Sequence, residues 1–488
     1  MNERGATSEA RYEPVIGLEI HVQLRTRTKM FCGCELSFGD RPNVHTCPIC
    51  LAHPGSLPTT NERAVLYALE IALALDCEIA PRSIFARKNY FYPDNPKAYQ
   101  ISQYDTPLAT AGRLGEVRIH RVHLEEDAAK LVHVSESGRI HGSGESLVDF
   151  NRAGTPLVEI VSEPDLRDPA AAREWLQLLR TTIRQIGASD VNMEEGSLRC
   201  DANVSLRPAG SSGLGTKTEL KNMNSFRFIE RGIAAEIERQ RAILDAGQEV
   251  VQETLHFDPR GGSLTSLRSK EEAHDYRYFP EPDLVPLAPT EAMLARARES
   301  LPELPAERRE RYAAELGLAA AQATQLAFDA ELGDYFERVV ESAPDVDAPV
   351  IANWVAGDLV AALRDADQDG DSPASSRVEP PALGKLAAMA QRGEVSSGAA
   401  RSVLAAMVAE GGDPRAIVER EGLGQIDDSG ELEAIVGRAI EAEAEAAERV
   451  RGGNPKAIGP LVGFVMRETK GRAEGAEVTR LIRERLGA

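Results

Sequence analysis

The residue pattern changes near residue 290, and this change constrains the fold more than any other feature of the chain. From about Tyr12 to Leu287, short alternating segments rich in β-branched residues are separated by tight turns, as in a largely antiparallel sheet with helices. From Thr290 onward, Ala, Glu, Leu and Arg recur at helical spacing, and prolines separate short helices. The pattern predicts an α+β front half followed by an all-α rear half.

The length of 488 residues predicts several domains, because single hydrophobic cores stop growing well below this size. We expect a catalytic domain over 1–295, a helical connector over 296–412 and a C-terminal tail over 413–488. The start of the chain is polar, and no apolar run approaches the ~18 residues of a membrane span. The sequence therefore predicts a cytoplasmic protein without a membrane segment.

The segment Val15–Leu24 alternates in the manner of a half-buried strand. Its apolar residues fall on one face, and Glu19, His21 and Gln23 fall on the other. Residues two apart on a strand are separated by about 7 Å, so their side chains can converge on one cation. A solvated strand face shows the same alternation, so this motif alone leaves both interpretations open.

A second alternating segment, Leu198–Arg207, carries Arg199 and Asp201 on its polar face. A turn then returns the chain through Glu219 and Lys221, again at alternate positions. The pattern predicts a β-hairpin with one densely charged face. Mixed charge is also common on exposed sheet faces, so this hairpin by itself does not require a function.

Glu159 interrupts the apolar run Pro156–Val161, where a solvated strand would show strict alternation. A lone buried carboxylate is costly unless it is paired or metal-bound. The segment His123–Asp127 supplies further carboxylates, of which Glu125 and Glu126 face opposite ways on an extended chain. We expect only one of the two to reach a shared site, and we assign Glu126.

Carboxylates ringed by cations are what phosphoryl transfer requires, because carboxylates bind Mg²⁺ and cations stabilise the phosphate charge. The chain has no G-x-x-x-x-G-K-[ST] phosphate loop, so ATP would be bound in another way. Carboxylates outnumber histidines, which favours Mg²⁺ over Zn²⁺ at this face. The candidate residues are Glu19, His21, Glu126, Glu159, Asp201 and Glu219, with Lys88, Arg199, Lys217 and Lys221 around them.

Four cysteines form two short pairs, Cys32 with Cys34 and Cys47 with Cys50, separated by twelve residues. Such spacing is typical of a tetrahedral Zn²⁺ site. Four thiolates leave no ligand position for water, so the zinc would be structural.

The run from Asp365 to Ser376 begins like a calcium-binding loop, with Asp at alternate positions. Its twelfth position is Ser376, where a calcium loop requires Glu. We therefore predict a solvated loop between helices.

Eight short segments of the front half carry most of the candidate residues and their neighbours. They are Val15–Val22, Arg87–Asp94, Ala98–Gln103, His123–Asp127, Gly154–Asp165, Gly196–Asn203, Glu219–Asn222 and Asp275–Asp283. Together they resemble the B subunits of the tRNA-dependent amidotransferases. The rear half resembles the helical connector and the YqeY-like tail of that family.

The resemblance implies a catalytic cradle on a mainly antiparallel, glutamine-synthetase-like sheet. It implies that ATP phosphorylates the side-chain carboxylate of Glu-tRNA(Gln) or Asp-tRNA(Asn), and that ammonia then displaces the phosphate. It also implies a role for each candidate: Glu19, His21, Glu126 and Glu159 would bind Mg²⁺, and Lys88, Arg199, Asp201, Glu219 and Lys221 would bind nucleotide, phosphate and substrate. The cysteine pairs match the zinc-bearing members of the family.

The partners follow from the same resemblance. The sequence contains no convincing Cys-His or Ser-Lys pair for glutamine hydrolysis, and the family implies a glutaminase A subunit, a small C subunit, and a channel between the active sites. The net charge of −21 argues against broad nucleic-acid binding, but residues 449–488 carry nine basic and four acidic residues. By matching the tail, mischarged tRNA would contact Lys456, Arg467, Lys470 and Arg472, although such basic clusters also arise by chance on helices.

Two other functions remain open at this point. A self-sufficient ATP-dependent ligase would amidate a free amino acid, but it has no use for a basic helical tail. A zinc-bearing RNA-binding scaffold would be indifferent to Glu159→Gln and His21→Ala. The sequence does not decide between Glu-tRNA and Asp-tRNA as substrate.

Overall fold

The structure is a computed structural model that describes residues 11–134, 143–221, 223–259, 261–269, 276–366, 373, 376–424, 429–469 and 472–487. Most of the predicted loop between Asp365 and Ser376 lies outside these residues, and so do Lys470, Asn222 and Asp275. The chain divides into two compact units, Met1–Leu304 and Pro305–Ala488.

The first unit contains fourteen described strands and four described helices. The strands are β1 (Tyr12–Gln23), β2 (Glu78–Ile79), β3 (Ala86–Asn89), β4 (Tyr99–Ser102), β5 (Ala109–Leu114), β6 (Val117–Glu126), β7 (Lys130–His133), β8 (Ser146–Asp149), β9 (Pro156–Ser162), β10 (Leu198–Pro208), β11 (Thr218–Lys221), β12 (Glu253–Asp258), β13 (Ser263–Ser269) and β14 (Phe279–Pro280). The helices are α1 (Glu62–Ala74), α2 (Pro169–Ile186), α3 (Phe226–Asp245) and α4 (Glu291–Ser300).

Nine of these strands form one sheet in the order β13-β12-β11-β10-β1-β9-β6-β5-β2. Every described pair in it is antiparallel except β11 with β12. Two smaller sheets, β14-β3-β4 and β7-β8, accompany it. The prediction of a mainly antiparallel α+β front half is confirmed.

The alternation in β1 has the predicted effect. Ile16, Leu18, Ile20 and Val22 are at most 1 % exposed, while the intervening positions face the other side of the sheet. Because β10 alternates in the same way, the two strands present one apolar face and one polar face.

Helix α2 is capped at its N-terminus by Asp168, whose side chain accepts hydrogen bonds from the backbone N–H groups of Ala170 and Ala171. It ends at Gly187, whose φ of 75° is readily adopted by glycine. Its apolar side packs against α3, which in turn contacts β10. The helices thus help to cover the apolar side of the sheet and leave the polar side for a site.

The described elements of the second unit are all helical, as predicted. They are α5 (Pro305–Ala314), α6 (Ala320–Ala327), α7 (Ala330–Ser342), α8 (Ala348–Asn353), a π-helical turn (Trp354–Leu359), α9 (Val360–Asp365), α10 (Pro380–Gln391), α11 (Ser397–Glu410), α12 (Pro414–Glu421), α13 (Ser429–Ala442), α14 (Ala444–Arg451), a 3₁₀ turn (Pro455–Ile458), α15 (Gly459–Glu468) and α16 (Gly475–Leu486). None of the described helices is long and apolar enough to span a membrane.

The described residues of this unit form two separate hydrophobic cores. The first extends from Tyr312 to Leu423 and includes Ile417 and Val418 of α12. The second begins at Leu432 and is formed by α13 to α16. A cut between these cores therefore falls after α12, about ten residues beyond the boundary that the sequence suggested at 412.

Candidate active site

The sheet register brings Glu19, His21 and Glu159 together on the polar face. Strand β1 lies between β9 and β10, so His21 is opposite Glu159 on one side and Arg199 on the other. Its Nε2 atom lies 3.4 Å from Glu159 Oε2. Glu19 is opposite Asp201 on β10. The predicted convergence of these residues is therefore present in the structure.

Strand β6 adds two residues that the sequence assignment did not include, His123 and Glu125. His123 is opposite Glu159 in the register, and its Nε2 lies 3.5 Å from Glu159 Oε2. Glu125 Oε1 lies 3.5 Å from His21 Nε2. Their spacing of two residues on a strand indicated that both side chains share one face, and the pairing of β6 with β9 makes this the face of Glu159.

These residues form two adjacent groups that share Glu159. In each group one potential ligand atom per residue lies within 4.8 Å of the others. The groups are Glu19, His21 and Glu159, and His123, Glu125 and Glu159; together we call them the carboxylate–histidine cluster. Their carboxylate oxygens and imidazole nitrogens suit a divalent cation.

Glu126 does not join this cluster, contrary to the sequence assignment. Its carboxylate forms an ion pair with Lys97 and accepts a hydrogen bond from the backbone N–H of Ile101 at 2.9 Å. It lines a different cavity, together with Cys50 and Asp283. Adjacent residues on a strand point to opposite faces, so the register that brings Glu125 into the cluster turns Glu126 away from it.

Like charges in the cluster oppose one another. Loss of hydration and the charge of Glu159 raise the pKa values of Glu19 and Glu125. Burial would also raise the pKa of Glu159, but the imidazoles of His123 and His21 and the ammonium group of Lys88 lower that pKa well below its usual range. Glu159 is therefore the carboxylate that stays ionised most readily, in the position shared by both groups.

The two histidines differ in protonation. Loss of hydration opposes the charge on His21, but its hydrogen bond to Glu159 and the surrounding carboxylates raise its pKa to about 9. Burial lowers the pKa of His123 to about 4, so its ring is neutral near pH 7. Its buried Nδ1 has no hydrogen-bond partner in the part of the chain that the structure describes. A neutral imidazole among carboxylates, with an unmet nitrogen, fits a site that is completed by a bound cation or water.

Lys88 and three tyrosines border the cluster. Loss of hydration would lower the pKa of Lys88, but the negative charges of Glu125 and Glu159 raise it, so the amine remains protonated. Its Nζ lies 5.1 Å from the ring centre of Tyr276. The ring of Tyr278 stacks on Tyr104 with 4.4 Å between the centres. Lys88 is thus close to the carboxylates, as the sequence assignment required.

Arg199 is oriented by Asp127, a buried residue that the sequence assignment missed. Arg199 donates a hydrogen bond to Asp127 Oδ1 at 3.1 Å, and Gln23 donates to Oδ2 at 2.8 Å. Burial would raise the pKa of Asp127, but Arg199 and Arg152 lower it. Asp127 follows the strand of His123 and Glu125 at the same two-residue spacing.

Lys221 links the two acidic candidates of the hairpin. Its Nζ donates to Asp201 Oδ2 at 2.6 Å and lies 3.5 Å from Glu219 Oε1. Glu219 also accepts a hydrogen bond from the Thr254 hydroxyl at 2.9 Å. The predicted hairpin and its charged face are therefore present, while Lys217 is exposed just before β11.

Two cavities lie along the polar face. The first, which we call the outer cavity, measures about 570 Å³ and is lined by residues that include Gln23, Arg25 and Arg152. The second, which we call the inner cavity, measures about 360 Å³ and is lined by residues that include Arg199 and Asp201. Phe38, Lys130 and Glu195 line both cavities.

Cys32, Cys34, Cys47 and Cys50, which we call the cysteine knuckle, also converge, with their sulfur atoms within 4.8 Å of one another. A hydrogen bond from Cys32 lowers the pKa of the Cys50 thiol, which favours the thiolate. Lys29, which is only 1 % exposed, places its Nζ 3.6 Å from Cys50 Sγ and 3.0 Å from the Phe150 carbonyl oxygen. Four sulfurs with a buried ammonium beside them fit a tetrathiolate zinc site, whose negative charge the lysine would offset. Cys77 and Cys200 are buried elsewhere.

The candidate tRNA-binding residues of the tail differ in their exposure and contacts. Lys456 and Arg467 are exposed, while Arg472 donates from Nε to the Thr469 carbonyl oxygen at 3.2 Å. Other basic residues of this region are engaged locally, such as Arg449 with Glu445 on the same helix. Lys470 is outside the described residues.

Comparisons with known proteins agree over almost the whole chain. The family described as the GatB/GatE catalytic domain matches residues 14–295, and the family described as the GatB domain matches residues 334–486. Three relatives are named as the B subunit of an aspartyl/glutamyl-tRNA(Asn/Gln) amidotransferase. That of Moorella thermoacetica is 50 % identical over 97 % of this chain and 100 % of its own length. Those of Persephonella marina and Frankia casuarinae are 46 % and 50 % identical over 97 % and 98 % of this chain, and 99 % and 96 % of their own lengths.

Proposed function

Because the chain belongs to the family of aspartyl/glutamyl-tRNA(Asn/Gln) amidotransferase B subunits, we propose that its carboxylate–histidine cluster is where a tRNA-linked carboxylate is phosphorylated and amidated. The family performs glutamine-dependent carbon–nitrogen ligation for translation, and such a ligase consumes ATP. The observation that carries the proposal is the pair of ligand groups sharing Glu159, set among cations.

The cluster residues would hold Mg²⁺, with Glu125 in the place that the sequence assignment gave to Glu126 and with His21 releasing its proton when the ion binds. The ion would neutralise phosphate charge when bound. Glu159 would lie between the two ligand groups, and the neutral ring of His123 leaves a nitrogen lone pair for a ligand bond. This set supports the assignment of Glu19, His21 and Glu159 as binding residues.

Lys88, Arg199 and Lys221 would bind the phosphate groups. Lys88 stays protonated beside Glu125, and Asp127 orients Arg199. Asp201 and Glu219 would act through Lys221, whose ammonium they contact. Fixed cations around a developing phosphate charge are the main contribution a protein makes to phosphoryl transfer.

The reaction follows from leaving-group chemistry. A carboxylate oxygen of the glutamyl or aspartyl side chain attacks the γ-phosphorus of ATP, and ADP leaves. Ammonia then attacks the acyl carbon, loses a proton, and displaces inorganic phosphate to leave the amide. Activation is needed because an oxide is a far poorer leaving group than phosphate.

Ammonia would come from a glutaminase A subunit, assembled with a small C subunit. Cys77 and Cys200 are buried, and the other four cysteines would be occupied as zinc ligands, so none of the six would be free to act as a nucleophile in glutamine hydrolysis. Membership in a family of multi-subunit enzymes that act on tRNA supports the assignment of partners and tRNA.

The remaining assignments are the fold class, the metal and the tail. The antiparallel sheet with an open polar face supports a glutamine-synthetase-like cradle over residues 1–295. The separate core of α13 to α16 and the exposed Lys456 and Arg467 support a tRNA-binding tail, with its start moved to the gap after α12. The four converging sulfurs support structural zinc.

The zinc assignment has a direct test. Native mass spectrometry of the purified chain should detect one zinc ion, and Cys47→Ser should lose it. Cys77→Ser is the matched control, since that thiol is buried outside the knuckle. Retention of zinc by Cys47→Ser would contradict the assignment.

The activity is tested by purifying the chain with its partner subunits and assaying ATP-dependent conversion of Glu-tRNA and Asp-tRNA to the amides. His21→Ala should remove this conversion while glutamine hydrolysis by the partner persists. If His21→Ala converts both substrates at the unaltered rate, the cluster is not the site. The alternative of a ligase for free amino acids is not favoured, since the relatives that match over the whole chain are named for tRNA substrates.

A further inference from the structure

The outer and inner cavities contain a feature that the proposed function does not use, an exposed aromatic ring. Phe38 is 78 % exposed and lines both cavities. The inner cavity also contains Arg199 and Asp201, which belong to the proposed site. The ring therefore borders the same open cavity as Arg199, one of the residues that would bind phosphate.

The loop that carries Phe38 is held in place by several hydrogen bonds. His45 Nε2 lies 2.7 Å from Asp40 Oδ2. The backbone N–H of Asn43 donates to Asp149 Oδ1 at 3.0 Å, and Asn43 Oδ1 accepts from the backbone N–H of Phe150 at 2.7 Å. These bonds tie the loop to the end of β8. The exposed ring is thus presented by an ordered segment, which limits the entropy lost when a ligand stacks on it.

The charges around the ring are not equally available. Among the acidic residues of the outer cavity, Asp40 contacts His45, and Asp149 accepts hydrogen bonds from the N–H groups of Asn43 and Asn151. Lys130 is exposed and lies in no ion pair within the described residues. Asp190 and Glu195 also line the cavity. A phosphate would find an available ammonium group close to the aromatic wall.

The size and lining suit a nucleoside. Pockets for small ligands measure roughly 300–1,000 Å³, and both cavities fall in that range at about 570 and 360 Å³. Apolar Leu24, Leu36 and Met193 lie among the polar lining residues. An exposed ring beside a cation is the combination that proteins use to bind a base and its phosphate.

We propose that Phe38 and Lys130 form an adenosine subsite, in which the phenyl ring stacks on adenine and the ammonium group binds an adjoining phosphate. This inference rests on the proposed function, which supplies two sources of the same chemistry. One is the adenosine of ATP, and the other is the terminal adenosine of tRNA, whose ribose carries the aminoacyl ester. Either source would place its reacting group toward Arg199 and Asp201 in the inner cavity.

The test uses the complete complex with its partner subunits and four variants: Phe38→Ala, Phe38→Trp, Lys130→Gln and Phe91→Ala. Phe91 is the matched control, because it is a 93 % exposed phenylalanine that lines neither cavity. The KM for ATP is measured at saturating charged tRNA, and the KM for charged tRNA at saturating ATP.

Phe38→Ala should raise one of these two KM values about tenfold, as expected for the loss of one stacked base, and leave kcat within about threefold. Phe38→Trp should restore the KM, since indole also stacks. Lys130→Gln should raise the same KM by a smaller factor. A rise in the KM for ATP identifies ATP as the source, and a rise in the KM for tRNA identifies the terminal adenosine.

A second measurement does not depend on turnover. Tryptophan fluorescence of the full-length Phe38→Trp chain should be quenched by ADP with Mg²⁺, or by a short RNA helix ending in CCA, and the unaltered chain supplies the background. The inference is overturned if neither KM rises in Phe38→Ala, if Phe38→Trp is as impaired as Phe38→Ala, or if Phe91→Ala has the same effect. In each case ATP-dependent transamidation by the unaltered complex would leave the proposed function standing.

Discussion

The two units of the chain treat charge in opposite ways. The first unit buries many ionisable side chains within its sheet and its loops: Lys29, Glu70, His123, Glu125, Glu126, Asp127, Glu159, Glu219, Glu236 and Glu281. In the described part of the second unit, Arg308 is the buried charged residue, and it is paired with Asp334 and with Glu337 at 3.1 Å. The second unit follows the ordinary rule that charge stays at the surface.

The comparison separates structural charges from functional ones. Glu281 is fully satisfied by a two-pronged contact with Arg87 at 2.7 and 2.8 Å, which is a structural arrangement. In the carboxylate–histidine cluster, by contrast, Glu19 and Glu125 have raised pKa values because they lose hydration and another carboxylate lies beside them. Such repulsion costs stability in the metal-free protein, so it indicates a site arranged for a cation rather than for folding.

The largest expected effect is that of a substitution at Glu19, which tests whether this carboxylate serves activity at the expense of stability. Glu19→Gln should lower ATP-dependent transamidation about 1,000-fold, since it removes a cation ligand from the site. It should also raise the free energy of unfolding by roughly 0.5–2 kcal/mol in EDTA, because it removes a repelled carboxylate. The measurements are single-turnover conversion of charged tRNA and urea unfolding at several pH values.

The pH dependence has a definite sign. The pKa of Glu19 in the folded state is raised, so the folded protein binds more protons than the unfolded chain and loses stability as the pH rises through that interval. The stability gain of Glu19→Gln should therefore be present at neutral pH and absent in acid. A variant that is less stable at neutral pH would contradict this account of the cluster.

A smaller effect distinguishes two adjacent glutamates. With ammonium chloride as nitrogen donor, Glu125→Gln should slow amidation about 100-fold, because it removes a cluster ligand. Glu126→Gln should slow it less than about tenfold, but should lower the free energy of unfolding by about 3 kcal/mol by leaving Lys97 without its buried partner. Equal losses of activity in the two variants would show that the sheet register does not separate their roles.

A third effect concerns the tail of the second unit. Ending the chain after Gly424 keeps the core of Tyr312 to Leu423 and removes α13 to α16. The KM for charged tRNA should rise about tenfold or more, since several phosphate contacts are lost. Lys456→Ala with Arg467→Ala should reproduce part of this rise, and Arg449→Ala is the control because Arg449 is paired with Glu445. Unaltered KM values in the truncated complex would remove tRNA binding from the tail.

The smallest effect is a stability change in the second unit. Glu337 accepts hydrogen bonds from Arg308 and Arg311 at 3.2 and 2.5 Å, and from the Tyr312 hydroxyl at 2.9 Å. These contacts outweigh loss of hydration and lower its pKa to about 2. Glu337→Gln should therefore cost about 1–2 kcal/mol of unfolding free energy near pH 7, after allowance for partial exposure.

The depressed pKa gives this loss the opposite pH dependence from that of Glu19. The contribution of Glu337 is present above the pKa of the unfolded chain, near 4.5, and disappears as the pH falls toward 2. Thermal unfolding of the two proteins should therefore converge in acid, while transamidation at pH 7 stays within about twofold. A large loss of activity would instead connect Glu337 to the site.

The part of the site on β1 and β10 was predictable because strand periodicity is a local property. Alternation in Val15–Leu24 assigned Glu19 and His21 to one face, and the next alternating segment assigned Arg199 and Asp201 to another polar face. The interruption at Glu159 indicated a buried carboxylate, and the structure has it 4 % exposed. Each of these inferences depends on neighbours in the chain.

The errors and omissions arose where two distant strands meet. Alternation showed that Glu125 and Glu126 face opposite ways, but only the pairing of β6 with β9 places His123 opposite Glu159 and selects Glu125. Asp127 was missed for the same reason, since its partner Arg199 is 72 residues away. A register between strands is decided by long-range packing, which local spacing does not encode.

The sequence by itself determined the change from sheet to helix near residue 290, the polar faces of β1 and β10, and the pairs of cysteines, because each depends on short-range periodicity or spacing. The tertiary structure alone decided which carboxylates share a site, that Glu159 belongs to both ligand groups, and that Phe38 faces the cavities beside Arg199. These features exist only when segments far apart in the chain pack together. Their physical basis is the pairing of β1, β6, β9 and β10 in one sheet.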